Sequence, residues 1–194
     1  MARIGLNNFR YGMLTEDAEG NATYGVAKKP AKAVSCNVSI TNNDAKLFAD
    51  DGLAESDTSF QNGTVTMGID NDDLETMADL LGHTYSAESG IVRSADDAAP
   101  YVGLGRVVTR MVNGAYNYKV EFLNKVKFGE PSQDDTTKGE TLEFGTTEIE
   151  GTVSTLASGE WSKAKVFTNK AEAITYLESL FGTATAQAGE STGN

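Results

Sequence analysis

The chain has 194 residues, 28 acidic against 16 basic side chains and a formal net charge of −12 at pH 7, which suits one domain with a real core. The charge disfavours a surface that reads DNA or RNA, because such surfaces pair Lys and Arg with phosphates. A single cysteine, Cys36, excludes an intrachain disulfide, and a single histidine, His83, leaves few options for zinc or for His-based acid–base chemistry.

The N-terminal stretch "MARIGLNNFRYG" lacks a signal-peptide core, and no apolar run is long enough to span a bilayer. The expectation is a protein made and assembled in a cytoplasm, without membrane binding. With 20 glycines and 3 prolines, turns are expected to rely on Gly, Asn and Asp.

Residues 1–15 are expected to form an N-terminal arm or a first strand, with Ile4, Leu6, Phe9, Tyr11 and Leu14 as its apolar residues, followed by a loop, "TEDAEGNATYG". "AVSCNVSI" (Ala33–Ile40) alternates, with Val34, Cys36, Val38 and Ile40 on one face and Ser35, Asn37 and Ser39 on the other. Period two means a half-buried strand, and it makes Cys36 a small buried apolar side chain rather than a reactive thiol. Residues 41–63, which include "NNDAKLFADDGLAESDTSFQNG", read as a long acidic loop carrying Leu47 and Phe48 just before Asp50 and Asp51. "TVTMGI" (Thr64–Ile69) is a strand with Val65, Met67 and Ile69 on one face.

"DNDDLETMADLLG" reads as a helix. Leu74, Met77, Ala78 and Leu81 share one face, Asp70 or Asn71 is expected to cap it, and Gly82 to end it. His83 then sits where an imidazole can bond the last carbonyls. "HTYSAESGIVRSADDAAP" is an irregular link with room for one short strand. The strongest pattern follows: strand Tyr101–Val112, the turn "NGA", and strand Tyr116–Phe128. Asn-Gly between two β-rich runs marks a hairpin. At about 3.3 Å per residue the second strand reaches roughly 40 Å, twice the common length, which favours a large sandwich or barrel wall. Tyr116, Tyr118, Val120, Phe122, Val126 and Phe128 are expected on one face, and Lys119, Lys125 and Lys127 as a basic strip on the other. Residues 129–146 read as a second long polar loop. Thr147–Ala157 alternates, with Glu148, Glu150, Thr152 and Ser154 forming the polar face, and "SGEWSKAKVF" is expected to complete a hairpin with it. "TNKAEAITYLESLFG" is a second helix with Ile174, Leu177, Leu180 and Phe181 as its stripe; Asn169 and Glu172 have capping-box spacing. Residues 182–194 are expected to be a disordered tail. The fold expected is therefore mainly β, an antiparallel β-sandwich or barrel with two flanking helices, in a single domain over residues 16–181.

Motifs of catalysis are absent: there is no G-x-S-x-G and no P-loop. "GLGRVV" has two of the three glycines of a dinucleotide fingerprint but lies inside a strand. The run from Asp70 fails as an EF-hand, because Leu74 and Glu75 occupy its fifth and sixth positions, and the sixth needs Gly. Asp50 and Asp51 read as a solvated loop rather than a metal site. No cofactor is implied and no enzyme activity is expected. Long strands expose edges that subunit pairing can cover, and head-to-tail pairing closes into rings when its rotation permits.

The stretches "IGLNNFRYGMLTED", "LFADDGLAE", "LETMADLLGHTY", "DDAAPYVGLG" and "NGAYNYKVEFLNKVKFGEP" resemble the major tail proteins of long-tailed, non-contractile phages, the phi13-type group. The similarity spans Ile4 to Trp161, and "ADLLGHTY" followed by "APYVGLG" is its most specific part. The resemblance implies a tail-tube-like β-sandwich flanked by a helix. Its subunits would form hexameric rings stacked into a tube, a virion structure assembled in the bacterial host cytoplasm. It implies tape measure, tail terminator and distal tail proteins as partners, with DNA passing non-specifically through the lumen. On that basis Leu47, Phe48, Asp50 and Asp51 become a candidate inter-ring contact, and Glu148, Glu150, Thr152 and Ser154 a candidate lumen face, with Ser35, Asn37 and Ser39 a second such strip. From another class comes a different reading: a monomeric calcium-dependent β-sandwich binding module.

Overall fold

The computed structural model describes residues 2–30, 33–49, 52–69, 73–132 and 147–182. In chain order the elements are β1 (Ala2–Glu16), β2 (Ala22–Tyr24), β3 (Ala33–Asn42), β4 (Ala45–Ala49), β5 (Gly52–Asp57), β6 (Phe60–Ile69) and α1 (Leu74–Leu81). Then follow β7 (Thr84–Ser86), β8 (Gly90–Val92), β9 (Tyr101–Val112), β10 (Ala115–Phe128), β11 (Thr147–Ser154), β12 (Ser162–Phe167) and α2 (Lys170–Ser179). The protein is mainly β, with an antiparallel sheet and two helices, consistent with the expected β-sandwich.

The main sheet runs in the order β2-β1-β9-β10-β11-β6-β3, with β12 also paired to β10. It curls: β1 and β3, far apart in that order, approach within 8 Å between Cα atoms. Its inner face holds the larger core, Phe9 and Tyr11 from β1, Val65, Met67 and Ile69 from β6, Val102 and Leu104 from β9, and Ile149 and Val153 from β11. Met77, Leu80 and Leu81 of α1 close that core. A smaller core lies on the outer face, where Ala173, Leu177 and Phe181 of the α2 segment pack on Val107, Val120 and Phe122. Each fully buried Phe or Leu contributes about 1.5–3 kcal/mol, so α2 is held by its stripe and not by its length.

Strand β10 serves both cores. Its alternation breaks at a bulge between Leu123 and Val126, so Val120 and Phe122 face α2 while Leu123, Val126 and Phe128 face the larger core. The single apolar face expected from Tyr116 to Phe128 is therefore two half-faces, because one extra residue in a strand exchanges its sides. Lys119 consequently lies on the opposite side from Lys125 and Lys127, and the expected basic strip is divided.

The length of β10 also explains β12. The "SGEWSKAKVF" segment was expected to pair with β11; instead β11 pairs Lys125–Phe128 and β12 pairs Tyr118–Leu123, one after the other on β10. The turn at Asn113 (φ 50°) and Gly114 (φ 80°) joins β9 to β10, as an Asn-Gly turn requires.

Other boundaries differ from the sequence reading. Residues 41–63 are not one loop: β3 runs to Asn42, β6 starts at Phe60, and between them β4 and β5 form their own two-stranded hairpin. The loop after β1 contains β2, and the link after α1 holds a small β7–β8 hairpin. The cap of α1 is Asp73, whose side chain accepts from the Thr76 N–H, and Gly82 ends the helix at φ 79°. Asp70 and Asn71 lie outside the described residues. Leu74, expected on the buried face, is exposed, and Leu80 takes its place. Val34 is also exposed, beside a register shift at the start of β3. The capping side chain of Asn169 accepts from the Ala171 N–H, and Gly182 donates to the carbonyls of Tyr24 and Gly25. Residues 133–146 and 183–194, the bulk of the second polar loop and of the tail, lie outside the described residues.

Candidate functional site

The polar strips on β11 and β3 arise from the same period-two alternation. Their apolar alternates, Ile149 and Val153 on β11 and Cys36 and Val38 on β3, turn into the larger core or pack against it. That leaves Glu148, Glu150, Thr152, Ser35, Asn37 and Ser39 exposed and Ser154 half-buried.

Register joins the two strips. Glu150 stands opposite Thr66 and Thr152 opposite Thr64, and across β6 Thr66 stands opposite Asn37 and Thr64 opposite Ser39. The result is one continuous polar face three strands wide. Its middle row, Thr64 and Thr66, was missed by sequence reasoning, although "TVTMGI" carries the signal: the residues between Val65, Met67 and Ile69 must face the other way.

The face continues onto β10. Lys127 stands opposite Thr152, and Lys125 opposite Ser154. Lys125 also pairs with Glu16 at 2.5 Å, and its ammonium lies 4.8 Å from the centre of the Tyr101 ring. The hydrogen bond from Lys125 and the Ala157 N–H hold the Glu16 carboxyl below its ordinary value. Glu148 and Glu150 have no ion pair among the described residues, so the free charge of the strip on β11 is negative.

The Leu47–Asp51 group is placed only in part. Leu47 stands opposite Glu55 and Phe48 opposite Leu53 in the β4–β5 register, with an irregularity between them. Asp50 and Asp51 lie outside the described residues. Among the described residues no group of three or more His, Cys, Asp or Glu side chains could hold a metal ion.

Two further clusters stand apart from this face. The backbone N–H of His83 donates to the Ala78 carbonyl, but its imidazole, 5 % exposed, bonds carboxylates rather than helix carbonyls: Nδ1 lies 2.7 Å from Asp97 and Nε2 2.5 Å from Glu130. The carboxylates flank opposite edges of the ring and cannot share one ion with it. The contact with His83 and the Ser94 N–H hold Asp97 below its ordinary value. Arg106 donates from Nε and Nη2 to Glu121, at 2.9 and 2.6 Å, and from Nη1 to Cys36 Sγ. Lys119 donates to the other oxygen of Glu121 at 2.5 Å. Burial pushes Glu121 up, but the bonds from Lys119 and Arg106 outweigh it and hold its carboxyl low. Cys36 is half-buried, and burial pushes its thiol up against the pull of Arg106.

No family model and no curated protein matches this chain.

Proposed function

We propose that this chain is a structural subunit that assembles with copies of itself into stacked hexameric rings, forming a phage tail tube through which DNA passes. The observation that carries the reading is the continuous Glu/Thr/Ser/Asn face on β11, β6 and β3, bordered on β10 by Lys127 and by Lys125, which Glu16 pairs. A channel for DNA needs a wall that is polar and not basic, so that phosphates slide without being held. Among the described residues the outer edges of β3 and β12 pair with no further strand and so can offer backbone groups to a neighbour. The resemblance of "ADLLGHTY" and "APYVGLG" to phi13-type major tail proteins points the same way. In this reading Leu47 and Phe48 of β4, together with Asp50 and Asp51, contact the next ring, and no residue is catalytic. The partners are other copies, a tape measure protein, a tail terminator and distal tail proteins, and the location is the virion tail.

Negative-stain electron microscopy of the concentrated protein tests the reading, with rings or hollow tubes as the expected result. The double variant Leu47→Ser/Phe48→Ser should stay folded and stop tube growth; normal tubes from it would remove the hairpin from the ring contact. A chain that stays monomeric at every concentration, and whose melting temperature rises saturably with calcium, would replace the tube with a calcium-dependent binding module.

A further inference from the structure

A cleft of about 230 Å³ opens on the inner face of the sheet, away from the polar face. Arg106, Lys119 and Glu121 line it, between residues 36–38 of β3 and residues 161–164 at the start of β12. Lysines on an outer strand commonly serve to repel unwanted strand pairing, and Lys163, paired with Glu160 at 3.5 Å, fits that role. Arg106 and Lys119 do not. They stand on the inner strands β9 and β10, and their side chains are only 12 % and 25 % exposed.

Both cations share one carboxylate, Glu121. Cys36 adds no negative charge, since burial keeps its thiol protonated. The cluster therefore carries one more positive charge than negative, partly buried, in a chain of net charge −12. Partly buried charge is costly without a partner. The guanidinium has five N–H donors in a planar fork suited to carboxylates, and one of its contacts here is with the weakly accepting thiol. The two outer strand edges beside the cleft would bring a neighbouring backbone close to these donors.

We propose that the cleft receives one carboxylate side chain from a second copy of this chain, held by Lys119 and Arg106. The acidic excess of the chain itself supplies the complementary charge. The inference rests on the self-assembly reading and assigns a contact within it.

The test uses the full chain in a mixture of isotopically heavy and light copies, treated with a zero-length carbodiimide that joins amines to carboxylates. The expected result is a heavy–light cross-link between Lys119 and an Asp or Glu of the other copy. Lys119→Gln leaves Arg106 and Glu121 as a neutral pair, so the fold should persist, which a melting curve checks. Its assembly should need roughly tenfold more protein, equivalent to about 1.4 kcal/mol, and respond less to salt, while Lys119→Arg should assemble like the parent. If the parent assembles and Lys119→Gln assembles equally well, without a heavy–light link at Lys119, the cleft contact is overturned and self-assembly stands. If the parent shows no association at any concentration, both fall together.

Discussion

The outer face of the main sheet is built in two ways. Over β9 and β10 it presents Val107, Val120 and Phe122, and α2 lies on it. Over β11, β6 and β3 it presents Glu150, Thr66 and Asn37 in one row and Thr152, Thr64 and Ser39 in the next, and the β11 and β3 members are exposed. The inner face carries the larger apolar core, with the Arg106, Lys119 and Glu121 cluster as its charged interruption on β9 and β10. An apolar outer half needs a helix to remove it from water, whereas a polar half is stable as it stands. On the proposed tube reading, the working surface is the half the chain leaves open.

The comparison breaks most visibly where the helix is lost. Phe122 is 1 % exposed and meets Tyr24 and Phe181 edge-on at ring-centre distances of 4.9 and 5.2 Å. Phe122→Ala should cost about 3–5 kcal/mol in chemical denaturation and release α2, read as increased amide exchange over Lys170–Ser179. A cost under about 1 kcal/mol would mean that α2 is held elsewhere.

A smaller effect is expected at Gly103, on the same outer face. A methyl group there would come within 2.5 Å of the Tyr24 ring and 2.8 Å of Phe122. At Gly105 it would meet Leu177 at 2.3 Å. The two glycines of "GLGRVV" thus let aromatic and helical side chains press against β9, and this spacing accounts for them without any nucleotide. Gly103→Ala should destabilise by about 1–3 kcal/mol, with Tyr24 losing its 2.9 Å bond to the Asn124 carbonyl.

Acid should sharpen the contrast between charges inside the curled sheet and charges on the open face. The folded protein holds Glu121 below its ordinary value of 4.5. A depressed carboxylate gives stability that is complete above the unfolded value and is lost as pH falls through the folded one. Denaturation midpoints should therefore drop as pH falls below about 4.5, and Glu121→Gln should flatten part of that drop. An unchanged acid limb in Glu121→Gln would show that Lys119 and Arg106 do not hold the carboxylate in solution.

Local signals carried much of the architecture. Tyr101–Val112 is readable because alternation and an Asn-Gly turn agree. Gly82 is readable as the end of α1, since its left-handed φ suits glycine. Long-range pairing is what stayed hidden. Nothing in "KVEFLNKVKF" marks the bulge after Leu123, so the division of Lys119 from Lys125 and Lys127 could not be foreseen. The partner of β12 depends on β10 being long enough to serve two strands in turn. The β4–β5 hairpin hid in a polar stretch because its residues lack the alternation that marks a half-buried strand. For the open face, each strip was legible from period two. Their union was not, because it depends on β6 lying between β11 and β3.

The smallest expected effect falls on that open face and decides whether it is open. Glu150 is exposed, stands opposite Thr66, and has no ion pair among the described residues. A surface change away from packed or paired groups alters stability by no more than about 0.5 kcal/mol. Glu150→Gln should therefore leave the denaturation midpoint of the isolated chain where it was, in contrast to Gly103→Ala on the covered half of the same face. In the proposed tube, where Glu150 would face the lumen and touch no neighbouring copy, the variant should also leave tubes intact. If the midpoint stays and tubes fail to form, Glu150 lies in a contact between copies, and the polar face is an interface rather than a channel wall.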